Sequence, residues 1–325
     1  MKIHRIFVLF ATLVLFALLF VGGMDDGAMR SLREFWNLGH IALFLVLGYL
    51  LLTPPSPVAT RTFTIQFLAV ISFALLLGGL IELVQARIGR DMSLIDVTRD
   101  GIGALLSLVF LAPQRLSLSV TARRSLQASA LLLLTWTCTP FAIALWDENQ
   151  AIKDWPELAR FESSLELGRW SSTGATRLSI DSTVALKGDH AMRVELGTSK
   201  YAGASLDYFP RDWSAYERLV INLYNPATSP LTVTCRIHDR AHSQSRIQQH
   251  NDRFNHSYEL KPGWNQITIS LQELANAPTG RSMNTRLIDG LQIFVSELAS
   301  PATIYIDEIY LADPLPPIQR ESEKL

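Results

Sequence analysis

His40, Glu82, Gln85, Arg90, Asp96 and Asp100 are polar or ionisable residues set within or beside long apolar runs, where such groups are costly to bury and mark functional sites by default. Their spacing makes them a set. Glu82 and Gln85 are three apart and share one helix face, and Asp96 and Asp100 are four apart and share another. A carboxylate beside a histidine can perform general acid–base chemistry, especially where partial burial shifts both groups. Arg87, Arg90 and Arg99 offer a binding role instead, toward the phosphate or carboxylate of a lipid or envelope precursor. Simpler roles compete. Ser93-Leu-Ile-Asp96 reads as a capping-box-like helix start, Glu82 as a solvated acid at a span end, and Arg90 as a headgroup contact. The chain has no elbow-type serine, no His-Glu-x-x-His and no paired cysteines, so no standard nucleophile or zinc motif is indicated. Binding is therefore preferred to catalysis.

The elements that must position these residues are apolar. A spanning helix needs about 20 apolar residues to cross about 30 Å of hydrocarbon. Residues 6–23, 36–52, 62–83, 93–111 and 126–146 meet that pattern and predict a membrane all-α helical bundle of five spans over residues 1–148. The first, preceded by Lys2 and Arg5, is read as an uncleaved anchor: its run is long for a signal core and no small-x-small cleavage site follows. Trp136 and Trp146 suit a span ending at a membrane interface. An N-terminus inside puts Lys2, Arg5, Arg61, Arg115, Arg123 and Arg124 on the cytoplasmic side, against Arg30, Arg33, Arg87, Arg90 and Arg99 outside. His40, Glu82, Gln85, Asp96 and Asp100 then fall at one depth near the outer face, and the C-terminal half is extracytoplasmic.

At His40, Glu82-Leu-Val-Gln85, Arg90, Ser93, Asp96 and Gly103-Ala104 the chain resembles the VanZ-like membrane family, over residues 1–115. It departs from that pattern at Trp36-Asn37, where the family carries an Asp-Lys pair. Phe44 stands where a tyrosine is usual, and Asp100 where an asparagine is usual. The family is linked to glycopeptide (teicoplanin) resistance in bacteria, so the resemblance implies a cell-envelope role rather than a defined reaction.

After a linker at 149–157 the pattern changes to short alternating runs, the mark of half-buried strands. Residues 177–180, 191–196, 219–224, 231–237, 258–260, 266–271, 291–295 and 303–311 fit, with no convincing soluble helix between them. They predict an all-β jelly-roll sandwich over 158–313, followed by a disordered tail at 314–325. Phe161-Glu162, Gly188, Asp212-Trp213-Ser-Ala-Tyr216, Tyr224-Asn225-Pro226, Lys261-Pro-Gly-Trp264-Asn265 and Ile304-Tyr-Ile-Asp307 carry a resemblance to the galactose-binding-like jelly rolls that include many carbohydrate-binding modules. That resemblance implies a structural calcium on Glu162 and Asp307, whose hard oxygens suit it, and a concave sheet on which Asp239 and Arg253 bind sugar. Trp213 and Trp264 are read as core or rim packing. The four histidines of 238–256 lack metal spacing and are read as a flexible polar loop.

A net charge of −1 gives no support for nucleic-acid binding. Cys138 and Cys235 lie in different halves and imply no disulfide framework. The expected protein is a multi-pass bacterial inner-membrane envelope protein with an extracytoplasmic glycan-binding domain. Its expected partners are an envelope polysaccharide or glycolipid and membrane lipids. Two alternatives stand beside it: a membrane enzyme acting on a lipid-linked or envelope-glycan precursor through the polar cluster, and a protein–protein adaptor.

Overall fold

The computed structural model describes residues 2–21, 29–87 and 92–313; Arg90 and the tail expected at 314–325 lie outside the described residues. The chain divides into two compact units, Met1–Ala144 and Leu145–Leu325. The first contains α1 (Lys2–Val21), α2 (Arg30–Asn37), α3 (Gly39–Leu51), α4 (Phe63–Arg87), α5 (Leu94–Leu106) and most of α6 (Val120–Asp154). Among the described residues, three helical stretches are long and apolar enough to cross a membrane: Arg30–Leu51, Phe63–Arg87 and Val120–Asp154. The apolar part of α1, Arg5–Phe20, is shorter. α5 has 13 residues, opens with Asp96, Arg99 and Asp100, and loosens into a π-helical turn at Ser107–Leu111. Three qualifying stretches thus stand where five spans were expected.

Small residues set the closest approach in this unit. A Cβ on Gly103 of α5 would lie 2.4 Å from the Ile41 carbonyl oxygen and 3.0 Å from the Leu45 amide nitrogen of α3, so only glycine lets the two backbones meet. The start of α5 is capped as expected by Ser93, whose hydroxyl accepts the Asp96 N–H at 3.2 Å. The return bond of the expected box is supplied from another helix: Glu82 of α4 accepts the Ser93 N–H at 2.6 Å.

The second unit is an antiparallel sandwich. Its elements are β1 (Glu157–Ala159), β2 (Trp170–Thr173), β3 (Arg177–Asp181), β4 (Ala191–Leu196), β5 (Tyr201–Leu206), β6 (Arg218–Asn225), β7 (Leu231–Asp239), α7 (Arg240–Ser243), β8 (Phe254–Leu260), β9 (Gly263–Ser270), α8 (Leu271–Asn276), β10 (Ile288–Ser296) and β11 (Ala302–Ala312). One sheet runs β3-β4-β11-β6-β9 with β1 added on β11, and the other runs β2-β5-β10-β7-β8. Alternate residues of the facing strands form one core, including Val233, Cys235 and Ile237 of β7, Leu291, Ile293 and Val295 of β10, and the fully buried Trp213. Burial pushes the Cys235 thiol up to about 12, which leaves it an inert core group.

All eight expected strands are present, and β1, β2 and β5 are additional. The linker expected at 149–157 is helical through Asp154. In the second unit the end of α6 is fixed by Asp147, which receives a two-pronged contact from Arg169 at 2.8–3.1 Å with both side chains 4% exposed. A segment tied by a buried, forked ion pair does not behave as a flexible connector.

Gly103→Ala should destabilise the helical unit by about 1–3 kcal/mol through overpacking against α3 backbone. Gly79→Ala, whose Cβ would meet nothing within 4 Å, should be neutral or mildly stabilising. Thermal unfolding of both variants in detergent checks the contrast; equal melting temperatures would refute the close approach.

Candidate functional site

Strand alternation decides which residues the second sheet turns outward. Because Ala202, Ala204, Ile293, Val295, Val233, Cys235 and Ile237 enter the core, their neighbours Tyr201, Gly203, Gln292, Phe294, Thr234, Arg236 and His238 face away from it. Register then gathers them. Phe294 lies opposite Gly203 on one side and Thr234 on the other, and Gln292 lies between Ser205 and Arg236. Asn255 of β8 pairs with Arg236. The result is a strip containing an aromatic pair, the exposed Tyr201 and the half-buried Phe294, edge-on at 5.8 Å, beside hydrogen-bonding groups. Gln292 donates to Thr173 at 3.0 Å, and the Thr234 and Ser257 hydroxyls meet at 2.9 Å. His238 packs onto Gly290, where any Cβ would lie 2.5 Å from its ring.

The strip is cationic and, among the described residues, has no carboxylate paired to Arg236 or Arg253. Arg236 is half-buried with its Nε unpartnered, and Arg253 holds Asn255 at 3.3 Å and approaches the His242 ring at 3.5 Å. Burial, and then the nearby Arg253, pull Arg236 down to about 10. His238 is held neutral, pushed down to about 4 by burial first and by Arg236 next. Half-buried guanidinium groups without carboxylate partners favour a ligand that brings acceptors or negative charge. Of the residues expected to bind sugar, the structure puts Arg253 here. Tyr201, Phe294, Arg236 and Gln292 were not singled out in the sequence. The available signal for three of them was alternation on β7 and β10, whereas Tyr201 sits on a strand too rich in small residues to read.

Asp239 requires correction. It is fully buried, on the core side of β7 where alternation directs it. Its carboxylate takes both terminal nitrogens of Arg281 at 2.7 and 2.9 Å and the amides of His242 and Asn284 at 3.2 and 2.8 Å. Burial raises its pKa, but the Arg281 fork and the amides outweigh that and hold it below the usual range. Arg281 also grips Asp252, which meets His242 at 3.2 Å. The expected flexible 238–256 loop therefore contains the short helix α7 and is pinned to a buried salt bridge.

The calcium expectation finds a different arrangement. Asp307 is fully buried and accepts the amides of Leu186, Lys187 and Glu308 at 2.7, 3.2 and 2.8 Å. Glu162 accepts those of Asp189 and His190 at 3.1 and 3.2 Å. Neither belongs to a group of three ligating side chains among the described residues. Amide donors directed at both acids fasten the 186–190 loop. Trp213 and Trp264 behave as expected: Trp213 is core with its Nε1 donating to Pro210 O at 3.0 Å, and Trp264 packs on Tyr224 at 5.3 Å.

In the helical unit the expected polar set assembles, except Arg90, which lies outside the described residues. His40 Nδ1 is 2.9 Å from Asp100 Oδ1, with both side chains buried. Arg99 pairs with Asp96 and reaches Glu34 at 3.5 Å. Gln85 stands apart in role, donating to the Leu19 carbonyl at 3.0 Å and so tying α4 to α1.

Residues 157–313 match the family model described as Carbohydrate binding domain 30, which spans the sandwich from β1 to β11 and bears out the carbohydrate-binding-module resemblance of this half. The match does not extend to the helical unit. Among solved structures, a family 11 carbohydrate-binding module from Clostridium thermocellum, in complex with a beta-1,3-1,4-mixed-linked tetrasaccharide, is 18% identical, covering 49% of this chain and 95% of that chain at a TM-score of 0.38. An exo-beta-agarase is 16% identical over 49% of this chain and 25% of that chain, at 0.40. The C-terminal family 22 carbohydrate binding module of Clostridium thermocellum Xyn10B is 16% identical over 48% and 92%, at 0.34. A comparison with curated proteins finds no match.

Asp239→Ala should act on stability, costing about 1–3 kcal/mol because the His242 and Asn284 amides lose their buried acceptor, while Arg281 keeps Asp252. Thermal unfolding of the full chain checks this; an unchanged melting temperature would return Asp239 to the list of ligand contacts.

Proposed function

We propose that the chain is a membrane-anchored glycan-binding protein of the bacterial cell envelope, and that the outward strip of its second sheet takes an acidic polysaccharide or glycolipid. The carrying observation is the Tyr201–Phe294 pair set beside Arg236 and Arg253, two half-buried guanidinium groups with no carboxylate in ion-pair range among the described residues. Aromatic faces stack on sugar rings, and forked guanidinium groups hold carboxylates or other acceptors in one plane. The family match over 157–313 supports glycan as the ligand class. Three helical stretches of spanning length and the VanZ-like pattern at His40, Glu82, Gln85 and Asp96 support membrane anchorage and an envelope role.

Binding of uronate-bearing and neutral oligosaccharides to the detergent-solubilised full chain tests the proposal. Tyr201→Ala and Phe294→Ala should each weaken binding about tenfold or more, roughly 1.4 kcal/mol. Arg253→Ala should weaken acidic glycans selectively, while Trp264→Ala, in the other sheet, should leave affinity unchanged. Binding that ignores Tyr201 and Phe294 would refute the strip as the site, and equal loss of neutral and acidic ligands in Arg253→Ala would refute the charge preference.

The proposed orientation has the N-terminus in the cytoplasm and the sandwich extracytoplasmic, and takes α1 and α5 with its π-helical turn to cross as well as the three qualifying stretches. Reporter fusions at Thr60 and Val120 should then read cytoplasmic, and those at Gly89 and the C-terminus should read outside. A cytoplasmic signal from the C-terminal fusion would overturn this orientation.

A further inference from the structure

We propose that His40, Glu82 and Asp96 form a binding site for a first-row divalent cation inside the helical unit, with Asp100 as the residue that orients His40. The three ligands come from α3, α4 and α5, and one ligating atom from each lies within 4.8 Å of the others. No compact sequence motif announces the site, because its parts are distributed over three helices and meet only through packing.

Four features point to a cation. The first is the His40–Asp100 contact at 2.9 Å through Nδ1. A buried carboxylate on one ring nitrogen fixes the tautomer and leaves the lone pair on Nε2, the arrangement that supports metal-ligating histidines. The second is an unpartnered acceptor. Glu82 is 1% exposed; one oxygen holds the Ser93 N–H, and Oε1 is buried with no hydrogen-bond partner. The third is a second such acceptor, Oδ2 of Asp100, fully buried and pressed so closely on α4 that a Cβ on Gly78 would meet it at 2.3 Å.

The fourth feature is charge. Glu34, Glu82, Asp96 and Asp100 converge here, and Arg99 is the basic group paired within the cluster, to Asp96 and Glu34. Among the described residues Glu82 has no basic side chain in ion-pair range, and Asp100 is hydrogen-bonded to His40 with Arg99 acting on it only at longer range. Uncompensated carboxylates in a dry site demand either protons or a metal. An imidazole nitrogen with two carboxylate oxygens suits ions of the zinc, manganese or iron(II) class, in contrast to the all-oxygen sets preferred by magnesium and calcium. Three protein ligands leave a position for a water or a phosphate oxygen.

The test uses the full chain in detergent, stripped with chelator and then exposed separately to ZnCl2, MnCl2 or MgCl2. Metal retained after gel filtration should approach about one equivalent for zinc or manganese and none for magnesium. Glu82→Gln and Asp96→Asn should each lower affinity at least tenfold. Asp100→Asn should lower it about 10–100-fold through loss of His40 orientation. His250→Gln, at an exposed position of the sandwich, should bind metal like the parent chain. Glu82→Gln without metal should melt no lower than the parent, since it removes a buried charge, so its lost affinity is separable from lost fold; Asp96→Asn, which also loosens the Arg99 pair, is read by metal retention. Cobalt(II) loading adds a visible d–d spectrum that Glu82→Gln should alter. No retained zinc, manganese or cobalt would overturn the site in favour of protonated carboxylates. Retention unchanged in both Glu82→Gln and Asp96→Asn would overturn the ligand assignment.

Discussion

A charge taken out of water must find a counter-charge or a ligand, and this constraint organises both units. Where the partner is built in, the group is structural. Asp147 is taken by the fork of Arg169, and Asp239 by the fork of Arg281 plus two amides. These pairs hold helix ends and loops in register, and removing an acid leaves its amide or guanidinium donors short of an acceptor. Where the partner is missing, the same physics marks a place for something the chain does not itself contain. Among the described residues, Arg236 and Arg253 on the outward strip and Glu82, with its unpartnered Oε1, in the helical unit are of this second kind.

The distinction explains which parts of the chain were legible as sequence. The sandwich was readable because half-buried strands alternate, and the range expected for β4 agrees at both ends. β5 escaped because Tyr-Ala-Gly-Ala-Ser-Leu carries small residues on both faces, so burial leaves no contrast to read. β2 escaped for the opposite reason: Trp-Ser-Ser-Thr is nearly all polar. Losing β5 concealed Tyr201 and the register that brings Phe294 beside it. Asp239 was misread although the means to place it were present. Counting by twos from Val233 puts it inward with Cys235 and Ile237, whereas its acidic type suggested an exposed ligand. Residue type suggested chemistry, but parity decided location.

The helical unit shows the complementary limit. Apolar length identified the qualifying stretches, yet could not show that α5 loosens after 13 residues or that α2 and α3 meet end to end. The polar set was recognisable as a set because ionisable residues are rare in such runs. Its internal order was not, since that depends on how closely helices approach. Glycine at 103 admits the Ile41 carbonyl, which lets α3 and α5 pack face to face and brings His40 against Asp100. Without that approach the two groups would be separate buried polar side chains; with it they become one hydrogen-bonded unit.

The unmatched charges in the two units have opposite sign and different surroundings, and this separates the ligands each can hold. The strip on the sandwich is basic and open to water at Tyr201, which is 50% exposed. Its attraction for an anion is shared with mobile ions and is screened over about 8 Å at physiological ionic strength. Affinity there must come chiefly from stacking and directed hydrogen bonds, with charge selecting among similar sugars. The helical cluster is acidic and dry, with Glu82 and Asp100 at 1% and 0% exposure. Mobile ions cannot screen what they cannot approach, so the charge deficit itself is the driving force for a bound cation. Selection at that site falls to ligand type and geometry rather than to attraction, and the nitrogen of His40 is the group that tells a first-row ion from magnesium or calcium.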